Sequence, residues 1–323
     1  MEKTVQYLET HSQNPYYNLA FEEYVLCHRT QGDYLLLWQN DNTIVVGQNQ
    51  NTEAEINRAF VEQHHINVVR RSTGGGAVYH DLGNLNYSFI TDVGDDGISI
   101  RRFTEPVVAA LRSLGLNAEA SGRNDILVEG RKVSGTAQRR HGGRILHHGT
   151  LLFDANPGMV AGALNVDPEK FRSKSTKSVR SRIANDMELP AFWAYLKDAL
   201  SGGGLTPGAL SAGELAEVDR LKREKYDTWE WNYGRSPKFD VRCKRYWDGG
   251  CLEANVSIAN GVITDVRFFG DFLSVCGLEE LVERLKGVAF RPEDVRAVLN
   301  DSPVGELFGG ITADEVTATI FDL

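Results

Sequence analysis

The sequence of 323 residues predicts an α+β fold divided into two domains. Three observations lead there. Short β-branched and apolar runs are set apart by polar turn residues. Apolar residues at helical spacing interrupt those runs, and adjacent strands are expected to pair antiparallel. Beyond residue 237 the pattern restarts, with a strong hairpin signal and two or three helices, enough for a small unit of its own.

The elements follow in order. Apolar positions at 19–27, ending in Cys27, read as a buried helix. Residues 34–38 and 43–46 read as paired strands. Residues 53–64 follow Thr52, a good N-cap, and carry Ile56, Ala59 and Phe60 at helical spacing. Val68-Val69 is a strand stub. Residues 85–90 alternate, with Leu85, Tyr87 and Phe89 on one face. Residues 105–114 follow Thr104 and have Pro106 in the first turn, which predicts a helix. Residues 125–128 and 146–153 are further strands. Residues 156–185 are polar and basic and are expected to form a long loop, a length that usually means function or mobility. Residues 190–200 predict a helix with Phe192, Trp193 and Leu196 in the core. Ser211 and Glu214 form a capping box before a helix running to about Tyr226. In the last part, 252–258 and 262–269 flank Asn260-Gly261 as a hairpin. Leu278, Leu281, Val282 and Leu285 lie at helical spacing, and Thr312 with Glu315 makes another capping box. The expected domains are residues 1–237 and 238–323.

Apolar residues make up 41% and charged residues 24%, so an ordinary globular core is expected and disorder is not. A net charge of -9 argues against nucleic acid as partner. Cys27, Cys243, Cys251 and Cys276 form no Cys-x-x-Cys pair, so neither a zinc site nor a redox motif is suggested. The N-terminus lacks the order of a signal peptide, and no apolar run reaches a membrane span. A reducing cytoplasm is the expected compartment.

Five segments carry chemistry. Arg70-Arg71-Ser72-Thr73-Gly74-Gly75-Gly76-Ala77-Val78-Tyr79-His80-Asp81 sets three glycines after a strand, where backbone N–H groups can form an anion-binding nest and two guanidiniums add fork-shaped donors. A glycine triplet alone also suits a plain surface turn. Lys132, in Gly130-Arg131-Lys132-Val133-Ser134-Gly135-Thr136-Ala137, is a point charge able to bridge a carboxylate and a phosphate; most single lysines are merely solvated. Asn124-Asp125 offers an amide for a base or ribose and a carboxylate for a ligand or Mg²⁺, though the pair is also common in turns. His147 and His148 are adjacent in a strand and must face opposite ways, so they cannot share one metal, and at least one is expected to be structural. Six basic residues lie between Lys170 and Arg182, suited to a triphosphate, or to solvent, or to nucleic acid.

Together, and in this order, the segments resemble those of lipoate–protein ligases. Residues 70–81 resemble that family's Arg-Arg-x-x-Gly-Gly-Gly-x-Val-x-His-Asp loop at every fixed position. Gly122-Arg123-Asn124-Asp125, Lys132-Val133-Ser134-Gly135 and His148-Gly149-Thr150 resemble its later motifs. The basic run through Ser178-Val179-Arg180-Ser181-Arg182 is similar to its adenylate-binding loop. The resemblance covers nearly the whole chain. It implies a central mixed, mostly antiparallel sheet flanked by helices, with a small α+β accessory domain. It also implies an ATP-dependent ligase, monomeric and cytoplasmic, that makes lipoyl-AMP and passes the lipoyl group to a lysine. The implied acceptors are lipoyl domains of 2-oxoacid dehydrogenase E2 subunits and the glycine-cleavage H protein, with no nucleic-acid or membrane partner.

Carried onto this sequence, Lys132 is the catalytic residue. Arg71, Ser72 and the backbone of Gly74, Gly75 and Gly76 hold lipoyl-AMP, while Val78, Tyr79 and His148 line the acyl tunnel. Asn124, Asp125, Lys132, Thr136, Ala137, Arg180 and Arg182 serve the ATP side, with Asp125 beside Mg²⁺. The nearest rival, an octanoyl or lipoyl transferase, needs a thiol beside the lysine, and no cysteine lies between Cys27 and Cys243. A biotin ligase and a non-catalytic lipoate binder are the two remaining rivals.

Overall fold

The computed structural model describes residues 4–94, 99–122, 124–164, 179, 187–202, 204–233, 241–259 and 261–321. The first domain contains β1 (Val5–Leu8), β2 (Asp33–Trp38), β3 (Thr43–Val46), β4 (Asn67–Arg70), β5 (Val78–His80), β6 (Asn84–Asp92), β7 (Ala118–Ser121), β8 (Asp125–Val128), β9 (Arg131–His141), β10 (Arg144–Leu152) and β11 (Leu205–Pro207). Eight of them form one sheet in the order β11-β1-β2-β6-β10-β9-β8-β7, and β4-β3-β5 form a smaller one. In the large sheet β1 runs parallel to β2 and β11; the remaining pairings are antiparallel. The expected mixed sheet flanked by helices is what the chain forms.

Strand β2 explains why the sheet is covered on both sides. Its apolar run does not alternate with polar residues, the mark of a strand buried on two faces. Leu35 and Leu37 pack with Val107 and Leu111 of one helix, α4 (Ile100–Ser113), and with Phe192 and Leu196 of α6 (Leu189–Leu200). Leu36 and Trp38 pack with Leu19, Phe21 and Val25 of α1 (Pro15–His28). Helix α1 is buried almost all round, which is why it reads as apolar rather than amphipathic.

Several elements differ from the sequence expectation. The helix expected at 53–64 is two short ones, α2 (Thr52–Glu55) and α3 (Arg58–Gln63). Between them Ile56 bridges to Leu164 and the Asn57 amide donates to Ala163, so tertiary hydrogen bonds break the helix. Thr52 does not cap it; its hydroxyl donates to the Asn232 carbonyl. Helix α4 begins at Ile100, capped by Ser99, and takes Pro106 into its interior, so Thr104 is no cap either and its hydroxyl donates to the carbonyl of Ile100. The long loop expected at 156–185 contains α5 (Pro157–Ala163), started by the Asn156 side chain. Trp193 is only half-buried, at the rim, donating to the Tyr7 hydroxyl. The capping box of Ser211 and Glu214 does start α7 (Ala212–Leu221), which continues as a wider turn over Lys222–Tyr226 before α8 (Trp229–Asn232).

The second domain opens with β12 (Val241–Trp247), a strand not expected from the residue pattern, followed by the expected hairpin β13 (Gly250–Ala259) and β14 (Val262–Gly270). The sheet packs on α9 (Glu279–Leu285), α10 (Pro292–Asn300), α11 (Val304–Leu307) and α12 (Ala313–Phe321) around Leu252, Val266, Phe308 and Ile320. The boundary expected near Pro237 lies outside the described residues. No described helix is long and apolar enough to cross a membrane.

Candidate active site

The glycine loop joins β4 to β5. Its arginines offer their forks to the protein. Arg70 donates to the carbonyls of Gly47, Gln48 and Gln50 at 2.7–2.9 Å and to the Thr52 hydroxyl at 2.7 Å. Arg71 donates to the carbonyls of Gly74 (2.7 Å) and Gly76 (2.9 Å) and to the Thr73 hydroxyl (3.0 Å). It shapes the loop from beneath. Burial lowers both guanidinium pKa values to about 10, so both stay charged at neutral pH.

Gly75 has φ +94°, a conformation that favours glycine. A side chain at Gly74 would come within 2.5 Å of the Ser274 backbone nitrogen. That close approach arises because the second domain sits on the loop. The Gly74 and Gly75 amides donate to the carbonyls of Ser274 (3.3 Å) and Phe272 (3.0 Å), so two donors of the expected nest here meet protein. The contact is reinforced where the Gly270 amide donates to Asn49, the Arg140 amide donates to Val275 (both 2.7 Å), and the Arg140 guanidinium pairs with Glu306 at 3.1 Å.

Ser72 is buried within the same loop. Val78 and Tyr79 fall on opposite faces of β5: Val78 packs toward α1, whereas Tyr79 joins Ile44 and Val68 and donates to Asn42. The two histidines of β10 also face opposite ways, as the strand period requires. His147 is buried against Phe103, with ring centroids 4.9 Å apart, and meets the Gln138 amide at 3.0 Å. His148 faces the glycine loop, its Nε2 2.8 Å from the Thr73 hydroxyl and its Nδ1 3.0 Å from both Glu22 oxygens.

The remaining candidates lie on β8 and β9. Val133 is an extra residue where the two strands change register, a bulge beside Lys132. The Lys132 ammonium lies 2.5 Å from Asp125 Oδ1, an ion contact between two side chains that both remain about a quarter to a third exposed. Gly135 gives the lysine room: a Cβ there would lie 3.3 Å from both Lys132 Cε and Nζ. Thr136 and Asn124 clasp each other, the Thr136 amide donating to the Asn124 carbonyl (2.9 Å) and Asn124 Nδ2 to the Thr136 carbonyl (2.7 Å). Ala137 pairs with His148 across the strands, which links this cluster to the loop. Asn124 and Asp125 border a groove of about 990 Å³ between α4 and β7, a volume suited to a small ligand.

A family model described as lipoyl protein ligase A/B catalytic domain matches residues 14–191, and one described as bacterial lipoate protein ligase C-terminus matches residues 236–320. The chain belongs to the lipoate–protein ligase family. It is 41% identical to lipoate-protein ligase LplJ of Bacillus subtilis, over 95% of this chain and 97% of that protein. Among solved structures, the ligase resembles P. falciparum LipL1 in complex with lipoate, with a TM-score of 0.80 and 25% identity over 92% of this chain and 94% of that one. A structure from an archaeal lipoylation system, that of a bi-partite lipoate protein ligase and its E2 lipoyl domain from Thermoplasma acidophilum, matches with a TM-score of 0.64 and 29% identity over 75% and 100% of the chains. A lipoate-protein ligase A bound with ATP matches with a TM-score of 0.64 and 28% identity over 72% and 99%.

Within this ligase, Arg180 and Arg182 lie outside the described residues, as does the basic run around them except Val179, which is buried. Sequence reasoning missed Glu22, the buried partner of His148. Its signal was present: two adjacent acids, Glu22 and Glu23, stand inside a helix apolar on every side. Glu23 has its own partners, Arg139 and Lys225, each at 2.8 Å.

Proposed function

We propose that this ligase joins lipoate to ATP, giving lipoyl-AMP and pyrophosphate, and then passes the lipoyl group to an acceptor lysine with release of AMP. The observation that carries the reading is the Lys132 ammonium, held against Asp125, which itself lines an open groove. In the first step a lipoate carboxylate oxygen attacks the α-phosphorus and the bond to pyrophosphate breaks. Both partners are anions, and an ammonium between them offsets their repulsion where charge accumulates. In the second step the acceptor amine attacks the mixed anhydride, and Lys132 stabilises the oxygen that takes up the charge.

Arg71, Ser72 and Gly74–Gly76 would hold the adenylate, with Val78 and His148 toward the acyl chain; Tyr79, expected beside them, faces the other side of β5 against Ile44 and Val68. For the Gly74 and Gly75 amides to reach a ligand, Phe272 and Ser274 must release them. Asn124, Asp125, Thr136 and Ala137 would serve the nucleotide, with Arg180 and Arg182 on the leaving pyrophosphate. No group of three His, Cys, Asp or Glu side chains that could hold a metal occurs among the described residues. A single carboxylate suits Mg²⁺, which is commonly held by one or two carboxylates with substrate phosphates and water. Asp125 would hold the ion, which supplies charge neutralisation at the phosphates.

The solved relatives with lipoate, with ATP and with an E2 lipoyl domain support this assignment, and we extend it to acceptor lipoyl domains of E2 subunits and to the glycine-cleavage H protein. A transferase reading gains nothing from Cys27, whose thiol pKa is pushed up by burial first and by Glu23 next, the wrong direction for a nucleophile. The test is the intact mass of a purified acceptor domain offered ATP with lipoate, octanoate or biotin. Lipoyl addition that requires ATP supports the proposal; addition without ATP, or of biotin alone, refutes it.

A further inference from the structure

Beneath the glycine loop, hydrogen-bond donors approach one carboxylate from two sides. From the loop, Arg71 Nε donates to the Thr73 hydroxyl at 3.0 Å, and that hydroxyl lies 2.8 Å from His148 Nε2, whose ring meets Glu22 through Nδ1 at 3.0 Å. From the sheet, Trp38 Nε1 donates to the Ser88 hydroxyl at 2.9 Å, which donates to Glu22 Oε1 at 2.5 Å. Indole and guanidinium N–H groups can only donate, and a carboxylate can only accept. With both ends fixed, the sense of each hydroxyl and ring between them is fixed too. With a neutral ring and every hydroxyl proton accepted, Thr73 donates to His148 Nε2, and His148 carries its proton on Nδ1 and donates it to Glu22. Every one of these groups is buried, so no solvent can substitute for a missing partner.

Charge leads to the same residue. Arg71 is buried and ionised, and such a cation needs a counter-charge. Its own hydrogen-bond acceptors are neutral carbonyls and a hydroxyl. Glu22 is the carboxylate at the other end of its chain of hydrogen bonds.

We propose that Glu22 is a positioning residue for ligation: as the common acceptor of both chains it fixes the His148 tautomer and, through Thr73 and Arg71, holds the glycine loop in the shape that receives the lipoyl group. This rests on the reading that the loop binds the adenylate. An amide in place of Glu22 accepts at one atom and donates at the other. Its NH2 group then sets a donor either against the Ser88 hydroxyl or 3.0 Å from the His148 Nδ1–H, so one of the two chains meets a donor head-on or loses its wild-type sense.

The test combines ¹⁵N NMR of histidine-labelled full-length protein with kinetics of pyrophosphate release. In the wild type, His148 is expected as the Nδ1–H tautomer. Glu22→Gln is expected to lower kcat/KM for lipoate roughly tenfold to a hundredfold with the KM for ATP unchanged. Thr73→Val, which cuts the chain at its other end, is expected to do the same, and the double variant to be no worse than the worse single one. Should Glu22→Gln fail to fold, Thr73→Val and the wild-type tautomer still decide the matter. An Nε2–H tautomer in the wild type, additive losses in the double variant, or an unaltered lipoate kcat/KM in Thr73→Val overturns the proposal. A wild type with the Nδ1–H tautomer that makes no adenylate from lipoate and ATP would sink the proposed function and leave the hydrogen-bond chain standing.

Discussion

Gly135→Ala isolates the position of the Lys132 ammonium from its presence. The added Cβ would lie 3.3 Å from Lys132 Cε and Nζ, with Asp125 Oδ1 next at 3.9 Å and no backbone atom among these closest contacts. Comfortable contacts between such atoms begin at about 3.5–4.0 Å, so the lysine tip must move by roughly 0.3–0.5 Å. A misplacement of about 1 Å can cost about a hundredfold in rate, so a shift of this size is expected to cost roughly three- to tenfold in adenylate formation. Stability should not suffer. Gly135 lies in a strand without positive φ, the crowded atoms belong to a flexible side chain, and alanine restricts the unfolded chain, worth about 0.4–1 kcal/mol. The assay is pyrophosphate release with saturating ATP and varied lipoate, beside a thermal melt. A slower enzyme with an unchanged or higher Tm is expected. Wild-type turnover, or a Tm several degrees lower, would refute the claim that Gly135 is small to make room for Lys132.

Gly149→Ala should behave in the opposite way. Its Cβ would fall 2.4 Å from the ring of the fully buried Tyr87, and such overpacking costs about 1–3 kcal/mol, read as a lower Tm. His147 and His80 give the molecule an acid limb. Burial lowers both imidazoles from 6.5 to about 3. Their folded values are depressed, so their contribution is fully present above pH 6.5 and is lost as pH falls toward 3, because the unfolded chain takes up protons first. Each contributes a slope of up to about 1.4 kcal/mol per pH unit within that window. Urea melts from pH 7 to pH 4 on the wild type and on His147→Phe should show the variant's slope shallower by about one proton; equal slopes would contradict the buried neutral assignment.

The parts of the fold legible in the sequence were those set by local chemistry. The hairpin of β13 and β14 and the capping boxes at Ser211 and Thr312 follow from residues within a few positions of each other. Much of what escaped notice depends on distant partners: nothing near residue 56 says that Ile56 will bridge to Leu164 and break a helix. The start of α4 was a local signal passed over, since Ser99 caps it through the Arg102 amide. The site divides in the same way. Residues 70–81 stand out because glycines and arginines are rarely so ordered, yet their sequence does not tell that both guanidiniums turn inward or that Phe272 and Ser274 meet the glycine amides. Glu22 was legible only as an oddity, an acid in an apolar helix, since its partner His148 lies 126 positions away.

The central claim is that a lone ammonium lets two anions couple without a protein nucleophile. Its most direct test is lipoate-dependent exchange of labelled pyrophosphate into ATP by Lys132→Ala, on protein whose melt matches the wild type. The account predicts exchange reduced by roughly a hundredfold or more, the size of effect seen when a preorganised charge-stabilising donor is removed. Exchange at the wild-type rate would contradict it.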